Sequence, residues 1–428
     1  MLKATRKKLK ISAFIAMLTL ASCTASSVST VHFKENTPVT LTFSWWGNDE
    51  RIDYTVSAVG EFEKENPDID VNCKYAVWNG YTKRQGIYMN STDIPDVMQI
   101  NFDWIKTYSP DGNGFYDLNQ LKDVFDFSNF TDEDLEFGTV NGKLNAIPTA
   151  LNTHCIFFNK DIYDKYGLEL PKTWDDYFEN AKVLREHDIY VSCMADKAEF
   201  FFILAYCEQV ANKDSCDKDG KISLSVEDIE IMLDFYKRIT DEKVVYQVKD
   251  SSFAMMANDQ SASTMRWISG TQVLFDGLFP ENKVNIAVAE FPRTKDTTNL
   301  GWYIKPATLY AISPTTQNPK EAGILLNYLL NSPEMAMYQQ TEKGVPVSKT
   351  AIETLKNNGV GGDIDFVADA LMKEHQDELK VMQPILEKEA TYRTFFEEGA
   401  YYLYDKEDIH TVAQRIYDKY QENNAKQQ

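Results

Sequence analysis

Histidine is scarce in this chain. The five residues, at positions 32, 154, 187, 375 and 410 of 428, are dispersed. No H-E-x-x-H pair occurs, and the six cysteines contain no C-x-x-C, so no metal site is expected. The phosphate-cradling G-x-x-x-x-G-K, a G-x-G-x-x-G behind a strand and the G-x-S-x-G of serine hydrolases are missing too. With them go the expectation of a cofactor, of a catalytic residue and of an enzyme. Basic charge is in deficit: 44 Lys+Arg face 65 Asp+Glu, a net charge of -21. Five of the basic residues (Lys3, Arg6, Lys7, Lys8, Lys10) stand in the first 22 positions, which hold no acid. Without them 39 basic residues face 65 acidic ones, a net of -26. Such a body repels phosphate backbones, which excludes nucleic acid as an expected partner. Beyond the N-terminus no apolar run approaches the ~18 residues of a spanning helix, which excludes a polytopic membrane protein. A hydrophobic content of 43% excludes wholesale disorder.

What is present begins with the N-terminus. A basic stretch to Lys10 precedes a mostly apolar run, Ile11 to Leu20. That run is too short to span a bilayer and suits a signal-peptide core. Leu20-Ala21-Ser22-Cys23 resembles the bacterial lipobox, whose Cys is lipidated and becomes the mature N-terminus. Residues 1–22 are therefore expected to be a signal peptide, and 23–37, opening on small polar residues, a lipidated tether. The other cysteines, Cys73, Cys155, Cys193, Cys207 and Cys216, are odd in number and suit small buried positions. One disulfide among the last three is allowed by the sequence, with no pair singled out.

The body opens as strand, helix, strand: Val39–Ser44 alternates, Val56, Val59 and Phe62 share a helical face, and Ile69 and Val71 resume a strand. This is the start of an α/β layer. Pro95–Ile100 reads as a further strand. Thr173 with Asp176 predicts a helix N-terminus. Ile229, Met232, Leu233 and Tyr236 form a core-facing stripe, and Asn318-Pro319-Lys320-Glu321 opens another helix. Asp217–Ile222 looks like a calcium loop, but Val226 stands where the bidentate Glu belongs, so a turn in a surface hairpin is expected.

Aromatics make up 13% of the chain, and they recur beside hydrogen-bonding residues where strands give way to loops. Trp45-Trp46-Gly47-Asn48-Asp49 follows the first strand, Trp78-Asn79-Gly80-Tyr81 the second, and Asn101-Phe102-Asp103-Trp104 the third. Trp267-Ile268-Ser269-Gly270-Thr271-Gln272 and Gly301-Trp302-Tyr303 come later. Ligands of open α/β sheets bind beyond the carboxyl ends of strands. A sugar offers apolar C–H faces ringed by hydroxyls, suiting a flat aromatic ring flanked by Asp, Asn or Gln. Trp45 alternates in phase with Leu41 and Phe43 and is expected in the core, which turns Trp46 the other way.

Several segments, in this order, resemble the extracellular solute-binding proteins (family 1) of ABC-type carbohydrate importers, the group that includes maltose-binding protein. They are Thr42–Gly47, Phe62–Ile69, Pro95–Gln99, Asn141–Pro148, Phe158–Asp161, Leu170–Asp176, Lys305-Pro306, the helix 319–331 and Gly344–Ser348. The resemblance implies an α/β, two-lobed, type II periplasmic-binding-protein-like fold, with a hinge between lobes and a helical C-terminus. The N-lobe would comprise 38–148 plus 307–332 and the C-lobe 151–304 plus 335–428. Crossings would lie near Pro148–Asn152, Lys305–Thr308 and Asn331–Glu334. The function it implies is capture of a sugar or oligosaccharide by a monomer, lipid-anchored through Cys23 to the outer face of the bacterial cytoplasmic membrane, and delivery to an ABC permease. The expected cleft residues are Trp46, Asn48, Asp49, Trp78, Tyr81, Asn101, Asp103 and Trp104 on one lobe, and Asn152, Trp267, Ser269, Gln272, Trp302 and Tyr303 on the other. Trp46 and Trp78 are the stacking candidates and Asp103 the hydroxyl acceptor. Across the cleft, Trp267 or Trp302 would stack while Asn152, Ser269 and Gln272 donate and accept. A surface glycosidase and a binding protein for a polyamine or peptide are the alternative readings.

Overall fold

Leu41, Phe43 and Trp45 alternate along the first strand and are fully buried, so one face of that strand is committed to the core before any topology is considered. The computed structural model describes residues 38–248, 254–279, 284–289 and 291–425; the expected signal peptide, Cys23 and the tether lie outside the described residues. In chain order, β1 (Val39–Trp46), α1 (Asp49–Glu65), β2 (Ile69–Ala76), α2 (Trp78–Tyr88), β3 (Val97–Ile100) and α3 (Phe102–Tyr108) form the opening α/β layer. A short helix α4 (Asp132–Glu136) and a small hairpin, β4 (Thr139–Val140) and β5 (Lys143–Leu144), lead into the long β6 (Ala146–Asn159). A second set follows: α5 (Lys160–Tyr166), α6 (Trp174–Leu184), β7 (Ser192–Ala195), α7 (Asp196–Ala211), α8 (Val226–Asp241), β8 (Val245–Val248), α9 (Ala254–Ala257), β9 (Ser263–Trp267), α10 (Thr271–Leu278) and β10 (Ile286–Val288). The chain returns through β11 (Tyr303–Ile312), α11 (Pro319–Asn331), α12 (Pro333–Gln339), α13 (Lys349–Asn357) and α14 (Ile364–Glu374). It ends with β12 (Lys380–Val381), α15 (Pro384–Glu387), α16 (Glu389–Leu403) and α17 (Ile409–Ala425).

Two parallel strand groups are joined by two long antiparallel strands. The sheet order is β2-β1-β3-β11-β6-β9-β7-β8. β1 runs parallel to β2 and β3, and β7 runs parallel to β8 and β9. Between the groups, β11 pairs antiparallel with β3 through Leu309–Ile312 and with β6 through Ile304–Ala311. The far half of β6, from His154 on, pairs instead with β9. The β6–β11 register slips on both sides of Thr308, next to Pro306, which has no N–H to give to the ladder.

Local signals explain the helix starts. Thr173 and Asp176 close a reciprocal capping box on α6, and Ser225 with Asp228 does the same on α8. Pro319 opens α11 in its first turn. Ile229, Met232, Leu233 and Tyr236 are buried as expected, and α16 and α17 pack over α7 and α8 to make the helical C-terminus. Helix α12 packs on α1 and α11, and α13 on α11 and α12, whereas α14 packs on α10, β6 and β10. The Asp217 segment is the expected turn: Asp217 and Lys221 are hydrogen bonded, Cys216 bridges Ile222, and Gly220 takes a positive φ. Cys73, Cys155, Cys193, Cys207 and Cys216 are all free, and the candidate disulfide does not form.

Candidate ligand-binding site

The carboxyl ends of β1, β2 and β3 bring together the aromatics that follow them. Trp46 ends β1, Trp78 opens α2 and Trp104 lies in α3. The Trp46 ring lies 5.0 Å from Trp78, 5.3 Å from Tyr81 and 6.1 Å from Trp104. Trp104 stands nearly parallel to both Trp78 (11°) and Tyr81 (13°). Trp45 is in the core, and Trp46, one pleat on, is partly exposed. Within this cluster the rings have different work. Trp78 is 42% exposed, while Tyr81 is 1% exposed and its hydroxyl donates to the Gln99 carbonyl at 2.7 Å. Tyr81 thus supports the platform from beneath and offers no face to a ligand, a correction to the expected role. Asn48 is the N-cap of α1, accepting from the Arg51 N–H, and Asp49 sits in that helix's first turn; both are exposed.

Asp103 lies in the first turn of α3, where Asn101 donates to its carboxylate. Burial raises its pKa, as does Glu387, against the opposing pull of Asn101 and Lys305. Glu387 and Lys305 come from elements later in the chain, α15 and β11. Lys305, on β11 opposite Asn152 of β6, holds both carboxylate oxygens of Glu387 at 2.7 Å. Lys197, just past the carboxyl end of β7, reaches the same carboxylate at 3.1 Å. Burial alone would raise the Glu387 pKa, but the two ammonium groups outweigh it and hold the group ionised below its usual range. The Lys305 ammonium also sits 4.6 Å from the centre of the Trp267 ring.

Trp267 ends β9, and His154 of β6 stacks on it at 3.7 Å. Burial keeps that imidazole neutral, with its pKa well below the ordinary value. Asn152 donates to the Ser269 hydroxyl at 3.0 Å and accepts from the Ser269 N–H, fixing the loop behind Trp267. Beside this wall lies a cavity of about 500 Å³, lined by Trp267, His154, Lys197 and Arg266 and, from the other group, by Arg51 and Glu342. Arg51 is paired with Glu342 at 2.8 Å through Nε and with its carbonyl at 2.7 Å through Nη2.

Three expected residues fall elsewhere. Gln272 turns to α14, accepting from the Ile364 N–H and donating to Asp276. Trp302 is 2% exposed and packs on Phe291 at 5.1 Å. The hydroxyl of Tyr303 is buried between Ser215 and Glu208. Gly301 has a positive φ, and a Cβ there would come within 2.7 Å of the Ala205 carbonyl oxygen. Sequence reasoning missed Arg51, His154, Lys197, Lys305, Glu342 and Glu387. Only Lys305 left a trace, as a lone charge within the apolar run Tyr303–Ile312.

Residues 57–370 match the family described as bacterial extracellular solute-binding protein. The chain is 29% identical over 168 residues to the multiple sugar-binding protein of Streptococcus mutans, a stretch covering 37% of this chain and 36% of that one. A similar share, 38%, is covered of a melibiose/raffinose/stachyose-binding protein of Bacillus subtilis. The chain thus spans little more than a third of the length of these two relatives. The match to the galactooligosaccharide-binding protein of Bacillus subtilis is longer, 24% identical over 328 residues, 71% of this chain and 72% of the relative. Among solved structures, a periplasmic oligogalacturonide-binding protein from Yersinia enterocolitica, in complex with saturated digalacturonic acid, is 28% identical. It superposes with a TM-score of 0.79, covering 91% of this chain and 99% of that one.

Proposed function

The chain belongs to the bacterial extracellular solute-binding proteins, and from that premise we propose that it captures a sugar or oligosaccharide in its cleft and delivers it to an ABC permease without covalent chemistry. The observation that carries the reading is the aromatic platform at the carboxyl ends of β1–β3, with Trp78 exposed and backed by stacked rings. A solvent-facing indole so supported is suited to the apolar face of a pyranose, and Asp103 beside it to a hydroxyl. The sugar-binding names of the relatives and the oligogalacturonide-binding neighbour agree with it. Ligand touching both walls binds the closed form more tightly and so favours hinge closure. We place the first two crossings on β6 and β11, which span both strand groups. The contacts of α12 and α13 support moving the third from Asn331–Glu334 to the segment between α13 and α14, so that 333–357 join the N-lobe.

The test is thermal stabilisation across a glycan panel, where a ligand at 100 times its dissociation constant adds ~2.7 kcal/mol. Absence of stabilisation by every glycan would remove the reading. Trp78→Ala is expected to weaken the best glycan at least tenfold, about 1.4 kcal/mol. Its exposure means that the apo melting temperature should barely move. A glycosidase would release cleaved products from the same panel, and none are expected. The cations at the cleft, Arg51, Lys197 and Lys305, disfavour a polyamine. Anchoring through Cys23 at the outer face of the cytoplasmic membrane is part of the proposal, motivated by the Leu20–Cys23 lipobox and the apolar run before it. Cys23→Ala is expected to free the body from the membrane or to leave the precursor unprocessed. Lipid labelling that survives the substitution would reject the anchor.

A further inference from the structure

Resting on the sugar-binding reading, we infer that the solute is an acidic sugar, whose carboxylate enters the cavity beside Trp267 between Arg51 of one lobe and Lys197 of the other. The argument is one of charge placement. The chain as a whole is acidic, with 65 Asp+Glu against 44 Lys+Arg. Its cleft cavity reverses that balance. Arg51, Lys197 and Arg266 line it, and Glu342 is the one carboxylate among the lining residues. Beyond the lining, Lys305 over the Trp267 ring adds a fourth cation, and Glu387 and Asp103 bring the anions to three. Positive charge gathered in a concave site of an acidic protein focuses the field on the solute that enters, and it raises the local concentration of anions there.

The cations also retain donor capacity. Arg51 spends Nε and Nη2 on Glu342, and Nη1 has no partner among the described residues. Lys197 spends one bond, at 3.1 Å, on a carboxylate already held by Lys305. A guanidinium presents planar, paired donors that match a carboxylate, and such charge-assisted bonds exceed neutral ones. Trp267, with His154 stacked on it and the Lys305 ammonium over its ring, lines the same cavity and gives the sugar ring that bears the carboxylate an aromatic edge to pack on. A carboxylate held from both sides has no equal in the open form, so the charge that gives selectivity also drives closure.

The experiment is calorimetric titration of the mature protein with digalacturonic acid, with the neutral galactose disaccharide of the same linkage, and with a sulfated disaccharide of equal size, at low and high salt. The acid is expected to bind at least tenfold more tightly than its neutral counterpart, with the margin shrinking as salt rises. Arg51→Gln and Lys197→Gln should each reduce that preference at least fivefold. Lys197→Gln guards against the fold, since Glu387 keeps Lys305, and apo melts confirm that each variant is folded. A neutral disaccharide that binds as tightly as the acid, or variants that keep the preference, would overturn the inference and leave sugar binding standing. Tighter binding of the sulfated sugar would overturn the carboxylate. Failure of every glycan to bind would remove the sugar-binding reading and this inference with it.

Discussion

Replacing Trp302 with Ala is expected to lower folding stability by about 3–5 kcal/mol, the range for a buried aromatic truncated to a methyl, while the folded variant keeps its affinity for solute. The indole is 2% exposed and sits against Phe291. Its backbone is fixed as well: the Trp302 carbonyl accepts from the Lys380 N–H at 3.0 Å, where β12 joins β11. Gly301 before it touches the α7 backbone at Ala205, so the loop cannot collapse into the void without moving a helix. Partial relaxation is what makes such cavities costly. Urea unfolding gives the stability and titration of the folded protein gives the affinity. A loss below ~1 kcal/mol, or a tenfold fall in affinity with stability intact, would return Trp302 to the cleft. Trp267→Ala, on a partly exposed ring lining the cavity, should differ by lowering the affinity of the folded protein, with some stability lost as well because His154 stacks on it.

The contrast between these two tryptophans marks how far sequence carries. Alternation in β1 separated Trp45 from Trp46 correctly, because a strand's pleat fixes which face each residue takes. Capping residues located α6, and turn chemistry located the Asp217 hairpin, since both are decided within four residues. The platform of Trp46, Trp78 and Trp104 was legible for a topological reason: three parallel neighbouring strands end on one side of a sheet. Trp302 and Tyr303 looked alike in sequence, aromatic beside glycine, but their burial depends on α7 and β12, elements far off in the chain. The charged side of the cleft was least legible. Lys197, Lys305 and Glu387 come from three separate elements, and nothing local to any of them announces a shared carboxylate. Arg51 and Glu342, 291 residues apart, are joined by the packing of α12 on α1.

Lys343→Met is expected to stabilise the protein at pH 6 and to lose that advantage as the pH rises through 7 toward 10.5. The Lys343 ammonium is 2% exposed, and burial, reinforced by Arg51, brings its pKa down from 10.5 to about 7, with Glu342 opposing. Its hydrogen-bond acceptor is the Tyr310 hydroxyl at 2.8 Å, and the Tyr54 ring lies 5.9 Å from it. In the unfolded chain the same lysine titrates near 10.5. Between pH 7 and 10.5 the unfolded state therefore carries a proton that the folded state has released, and stability rises with pH across that window. Below pH 7 both states are protonated and the full cost of burying the cation is present, about 4–5 kcal/mol at ~1.4 kcal/mol per pKa unit. Methionine removes that cost but orphans the Tyr310 hydroxyl, a loss of ~1 kcal/mol or more. The net gain expected at pH 6 is ~3 kcal/mol, and by pH 10 the variant should be no more stable than the native chain. Urea unfolding at the two pH values checks this, and a variant that is less stable at pH 6 would show that Lys343 is better solvated than its burial implies. Its position has a mechanical side. The segment after Lys343 lies on β6, where Pro346 bridges Ala150 and the Val347 N–H donates to the Thr149 carbonyl. Gly344 comes close enough there that a Cβ would meet that of Ala150 at 2.9 Å. Lys343 is thus held beside β6, one of the two strands on which we propose the lobes are joined, next to the Arg51–Glu342 pair at the cavity, where its charge bears on stability and on the electrostatics of the cavity together.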